Sequence, residues 1–189
     1  MTFDFAAARQ NMVDCQVRTA DVTDLGILDA MLAVDREKLC AADKAALAYA
    51  DVEVPYGEGL FLMRPREVGK LLQALRPQPG ERALAIAAPY AAAVLEAMGL
   101  KVERLDGGEP VEAKGRYDVV ICEGAVSATP QTWISALDAG GRLGVVERNG
   151  PVGKAQLYVS GEAGVGVREV FDATPPILTG FERKPVFAF

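Results

Sequence analysis

The 189-residue chain contains no histidine, which removes imidazole acid–base catalysis, serine–histidine triads and histidine-ligated metals from consideration. Its three cysteines, Cys15, Cys40 and Cys122, lie far apart without a CxxC pair. That spacing suits reduced, buried thiols better than a disulfide frame or a zinc site, so no metal is expected. The remaining groups of interest are two acids at the ends of apolar runs: Asp106 after KVERL, and Glu123, followed by Gly124, after YDVVIC. Acids at strand ends can meet a nucleotide cofactor, and Asp106 follows Ala87 at close to the ~20 residues at which an acid bonds ribose hydroxyls. Each also has a plainer reading, which is preferred. Asp106 beside Gly107 and Gly108 is an ordinary turn former, and Glu123 is a solvated strand end leading to a helix capped by Ser127 or Thr129.

Such acids matter only if strands and helices bring them together. From Pro77 onward, RPQPGE reads as a turn, ALAIAA as a buried strand, and PYAAAVLEAMG as a helix with Pro89 at its start and Gly99 at its end. KVERL (101–105) and YDVVIC (117–122) read as strands, TPQTWISAL (129–137) as a helix and RLGVVER (142–148) as a strand. Strand alternating with helix predicts a parallel sheet with right-handed crossovers. After Asn149-Gly150-Pro151 the pattern becomes purely β, with KAQLYVS, GVREVFD and PVFAF expected as antiparallel strands at one edge. Before Pro77, helices are expected over 4–18, from Thr23-Asp24 onward, over 41–50 and over 65–75, with a short apolar run following Val54. The chain is thus expected to be a single α/β domain, 1–189, made of a helical region (1–76) and a sheet core (77–189).

In an open parallel sheet the first strand-to-helix turn usually carries glycines, so that backbone can approach a ligand. Here that turn contains Ala85, Ala87, Ala88, Pro89 and Tyr90 and no glycine. The alanine methyls and the proline ring are expected to obstruct a turn needing positive φ. Length points the same way: a strand–helix–strand crossover takes roughly 30 residues, and Ala87 to Tyr117 is no longer than that. A further helix–strand unit does not fit there.

Apolar residues make up 50% and charged residues 24% of the chain, and the net charge is −6 with no basic stripe. This composition argues against nucleic acid and anionic lipid as partners. No apolar run reaches the ~18 residues of a membrane-spanning helix, and Met1 to Arg9 lacks the order of a secretory signal, so a cytoplasmic location is expected.

The blocks RQNMVDCQVRTADVTDLGILDAMLAVDRE, PGERALAIAAPYAAAVLEAMG, YDVVICEGAVSATPQTWISALDAGGRLGVVER and FDATPPILTGF resemble protein-L-isoaspartate O-methyltransferases of the bacterial type. The resemblance implies a Rossmann-like class I methyltransferase sheet, here truncated by about one helix–strand unit, with an N-terminal helical extension and antiparallel C-terminal strands. It implies S-adenosylmethionine as methyl donor and the carboxylate of isoaspartyl residues as acceptor. The chain departs from the family where its cofactor loop carries an acid and spaced glycines. It departs again at the family's Ser-Gln-Pro stretch, whose hydroxyl helps form the substrate site and which here reads Met63, Arg64 and Pro65. KVERL aligns with either the family's second or its third strand.

The leading expectation is therefore a degenerate member that lacks a working donor loop, needs no cofactor and acts by binding a protein partner or a second copy. The alternative is an active S-adenosylmethionine-dependent methyltransferase with a rearranged pocket drawn from Ala85, Ala87, Ala88, Tyr90, Asp106, Glu123 and Gly124, in which Arg64 attracts an acidic substrate group. A third reading places another small ligand in a collapsed cleft lined by Tyr90 and Trp133, although aromatics on helices are more often core.

Overall fold

The computed structural model describes residues 3–106 and 116–183. The opening helix α1 (Phe5–Met12) is capped by the Asp4 carboxylate, which accepts from Ala7 N. The expected single helix over 4–18 ends at Met12 and continues as a π turn (Val13–Val17) and a 3-10 turn (Arg18–Ala20), stopped by Asp21 at φ 66°. Helix α2 (Leu25–Ala33) starts where Asp24 accepts from Ile27 N. The stretch expected as a helix over 41–50 forms a 3-10 turn, Ala42–Leu47, with no side-chain cap. The apolar run after Val54 is a hairpin, β1 (Val54–Gly57) against β2 (Leu60–Leu62), turning through Gly59 at φ 68°. Helix α3 (Pro65–Leu75) has Pro65 in its first turn, where the missing N–H costs nothing.

Strand β3 (Arg82–Ile86), helix α4 (Pro89–Ala97) and strand β4 (Lys101–Leu105) form the predicted crossover. β5 (Tyr117–Val126) runs past Cys122 through Glu123 and Gly124, so the strand is longer than its apolar run. Helix α5 is only Gln131–Ser135, because Leu137 already pairs with Tyr117 as the start of β6 (Leu137–Glu147). β7 (Gly153–Gly161) and β8 (Gly164–Ala173) complete the sheet, and the expected PVFAF strand lies outside the described residues.

The strand order is β4-β3-β5-β6-β7-β8. The pairs β3–β4, β3–β5 and β5–β6 are parallel, whereas β6–β7 and β7–β8 are antiparallel. β4 is the immediate parallel neighbour of β3, so KVERL takes the place beside the first strand of the sheet. The connection from β4 to β5 is residues 106–116.

Alternation along the strands divides the core in two. Ala83, Ala85, Val119 and Ile121 face α3 and α4, joining Leu71, Leu72, Leu75, Val94 and Leu95. Leu84, Ile86, Val120, Cys122, Leu143 and Val145 face the other way, toward Trp133, Leu178 and Phe181. On that second face the cover comes from short α5 and the segment after β8. Of the cysteines, only Cys122 is buried as expected; Cys40 is half-buried and Cys15 exposed, because Cys15 lies on the outer side of the π turn.

Candidate functional site

β3 is flanked by β4 on one side and β5 on the other, so the carboxyl ends of β3 and β5 form the topological switch point where open α/β sheets bind ligands. Ala85, Ala87, Ala88 and Tyr90 lie at the end of β3 and the start of α4, and Glu123 and Gly124 lie near the end of β5.

The first crossover turn adopts a left-handed residue without a glycine. Ala87 sits at φ 45°, a region that costs an alanine roughly 1–2 kcal/mol. The expectation that alanine methyls would prevent such a turn is corrected: the shape is kept and the strain accepted. Two hydrogen bonds hold it there. Ala87 N donates to Leu105 O at 2.8 Å, and the Tyr56 hydroxyl on β1 donates to Ala87 O at 3.1 Å. Ala87 and Ala88 are 1% and 4% exposed, so the turn's backbone is covered by protein.

Glu123 is fully buried, which overturns its reading as a solvated strand end. Neither Ser127 nor Thr129 caps the next helix, whose N-cap is Pro130; Thr129 instead donates its hydroxyl to Glu147 at 2.6 Å. The Glu123 carboxylate faces the start of α4, where Oε1 accepts from Ala91 N at 2.6 Å and Oε2 accepts from Met63 N at 3.2 Å. These are free amides of a helix N-terminus and a neighbouring loop, suited to an anion. Burial pushes the Glu123 carboxyl above its ordinary range, opposed first by the Arg36 charge and then by the backbone N–H groups.

Arg36 itself is fully buried. Its Nη2 donates to Met63 O at 2.6 Å and its Nε to Ala48 O at 2.7 Å, while its guanidinium stacks 4.3 Å above the Tyr90 ring. Among the described residues, Arg36 Nη1 and the Tyr90 hydroxyl have no hydrogen-bond partner. Met63's peptide therefore links the two charges, one on its N–H and one on its C=O.

Gly124 is held at φ 135°, and a Cβ there would lie 2.7 Å from Leu178 Cδ2. Leu178 arrives on the segment after β8, which bonds to β5 through Ala125 N to Pro176 O (2.9 Å) and Leu178 N to Ala125 O (2.8 Å). Phe181 O then accepts from Ser127 N at 2.9 Å. This strap closes the end of β5.

Of the other candidates, Met63 enters this centre through its peptide alone. Asp106 is exposed at the end of β4. Met63 is core, Pro65 opens α3, and Arg64 is paired with Glu53 at 2.9 Å, which neutralises the charge proposed to draw an acidic substrate. Tyr90 and Trp133 belong to opposite faces of the sheet and share no cleft; Trp133 packs on Phe181 with ring centroids 5.2 Å apart. Among the described residues, no group of three or more His, Cys, Asp or Glu is placed to hold a metal, and no helix is long and apolar enough to cross a membrane. Sequence reasoning missed Arg36, Tyr56 and Leu178. Arg36 stands in the charged run Asp35-Arg36-Glu37-Lys38, which looks like a solvated face, and only the apolar residues around FDATPPILTGF hinted at a strap.

A crossover of this topology, with its switch point at β3 and β5, places the protein among Rossmann-like α/β folds. Residues 7–104 match the family model for protein-L-isoaspartate(D-aspartate) O-methyltransferase. A protein-L-isoaspartate O-methyltransferase of Methylorubrum populi is 31% identical over 182 residues, covering 82% of this chain and 85% of that protein. A second, from Anaeromyxobacter sp., is 32% identical over 182 residues, covering 80% and 73%. The chain belongs to the protein-L-isoaspartate O-methyltransferase family. Its fold is similar to that of a Plasmodium falciparum protein described as a protein-L-isoaspartate O-methyltransferase in complex with S-adenosyl-L-homocysteine, with a TM-score of 0.73 at 14% identity, covering 94% of this chain and 99% of that one.

Proposed function

We propose that this family member has given up methyl transfer and acts in the cytoplasm by binding a protein, either a partner or a second copy of itself. One observation carries the reading: at the switch point the chain's own Glu123 carboxylate occupies the amide of Ala91, and the turn backbone at Ala87 and Ala88 is covered. S-adenosylmethionine brings a carboxylate and an adenosine that need bare main chain at this turn, and the residues present do not fit it. The loss of the hydroxyl at Met63 and the pairing of Arg64 with Glu53 support the same conclusion on the acceptor side.

The second reading, retained S-adenosylmethionine-dependent methylation of isoaspartyl residues, is favoured by the names of the relatives and by the S-adenosyl-L-homocysteine held in the Plasmodium protein of the same fold. Calorimetric titration of the full chain with S-adenosylmethionine and S-adenosylhomocysteine separates the two. Flat traces at high protein concentration, together with no label transferred from methyl-labelled donor to an isoaspartyl peptide, are expected. Micromolar binding with turnover would establish the enzyme.

A further inference from the structure

We propose that Glu123 is a tethered ligand, and that the site it fills, built from Ala91 N and Met63 N with the Arg36 charge nearby, is a carboxylate-binding site that takes a small free carboxylate once the side chain is removed. The inference deepens the reading of a closed switch point and rests on it.

Three features mark the position as a binding site rather than an ordinary buried acid. The carboxylate lies against the first turn of α4, accepting from Ala91 N at 2.6 Å, and takes a second N–H from Met63 at 3.2 Å on a separate segment, just before α3. The nearby cation is built in rather than borrowed from the surface, because Arg36 is fully buried and is held by Ala48 O, Met63 O and the Tyr90 ring. Among the described residues Arg36 Nη1 also remains without a partner, so the guanidinium keeps donor capacity to spare. A buried cation of this kind requires an anion, since an unpaired charge in the core is strongly disfavoured. The anion's covalent attachment to β5 is incidental to those contacts. Freed of the side chain, the site presents amides and a positive charge to a free carboxylate, the chemistry that recognises an amino-acid or short-acid end group.

The Glu123→Ala change deletes Cγ, Cδ and both Oε atoms, which are the heavy atoms of acetate, and leaves the β-carbon in place. Acetate added to Glu123→Ala is expected to raise its melting temperature by roughly 3 °C or more over an equal concentration of chloride. The unaltered chain, whose site is full, is expected to show no acetate-specific rise. Adding Arg36→Met to the alanine variant is expected to abolish the response. The proposal is overturned if acetate and chloride act alike on Glu123→Ala, if the unaltered chain responds equally, or if the response survives Arg36→Met. Glu123→Ser serves as a second host. Should neither variant fold in chloride, the yield of folded protein after dilution from urea is read instead, and equal yields in acetate and chloride overturn the proposal. Binding of S-adenosylmethionine to the unaltered chain would defeat the closed-site reading without altering the acetate comparison.

Discussion

Two residues carry strain or charge that single substitutions can release. Ala87 holds φ 45° with its methyl in the core, so Ala87→Gly relieves the left-handed conformation but frees the unfolded chain and removes a buried methyl. The balance favours the glycine by up to about 1 kcal/mol, and urea unfolding should show a higher midpoint; a lower one would mean that the methyl's packing outweighs the strain. Glu67, on the first turn of α3, is 5% exposed, and its Oε2 has no partner among the described residues. Burial pushes its carboxyl up to about 7, with Arg64 pulling it down and Glu53 pushing it further up. Because the folded state prefers the protonated acid, this group's contribution is full below about 4.5 and falls as pH rises through about 7, on the order of 3 kcal/mol in all. Glu67→Gln removes that dependence. Its stability relative to the unaltered chain should rise between pH 5 and pH 8; a difference that stays constant would show that the carboxyl is not held up by burial.

At the scale of elements, the strap after β8 and the end of β5 behave as one unit. Gly124→Ala places a Cβ 2.7 Å from Leu178 Cδ2 on a backbone at φ 135°. It should cost about 2–4 kcal/mol, part from overpacking and part from conformation. Leu178→Ala, which empties a position 2% exposed, should cost about 2–5 kcal/mol. Since the two side chains compete for the same space, the double variant should lose clearly less than the two losses added together. Full additivity in urea unfolding would detach the strap from Gly124. The elements themselves were largely legible beforehand. Pro65 and Pro89 begin their helices and Gly99 follows the end of α4, because a proline at a helix start and a glycine after its end act within a residue or two. Other boundaries moved. β5 runs on to Val126 and α5 shrinks to Gln131–Ser135, since pairing with neighbouring strands, rather than local pattern, decides where a strand stops.

For the whole molecule, the proposed loss of the donor site predicts a thermal stability indifferent to the methyl donor. A ligand that binds only the folded state at 100 times its Kd adds about 2.7 kcal/mol, enough to move a melting temperature by several degrees. No shift is expected with millimolar S-adenosylmethionine, and a clear rise would reopen the site. The same architecture explains the uneven sheet. Its α3/α4 face is covered by full helices, whereas the other is finished by α5 and the strap carrying Leu178 and Phe181.

Composition, periodicity and turn residues were enough to determine the alternating α/β order, the parallel sheet with its antiparallel edge and the crossover lacking glycine, all properties set by neighbours along the chain. The family resemblance rested instead on whole blocks of residues, among them RQNMVDCQVRTADVTDLGILDAMLAVDRE and YDVVICEGAVSATPQTWISALDAGGRLGVVER. What the sequence left undecided was the fate of Glu123 and Arg36, charged residues whose burial depends on contacts with Met63, Ala91 and Tyr90 from other segments. A charge reads as solvated until the fold supplies its partner and excludes water, and only tertiary packing does both.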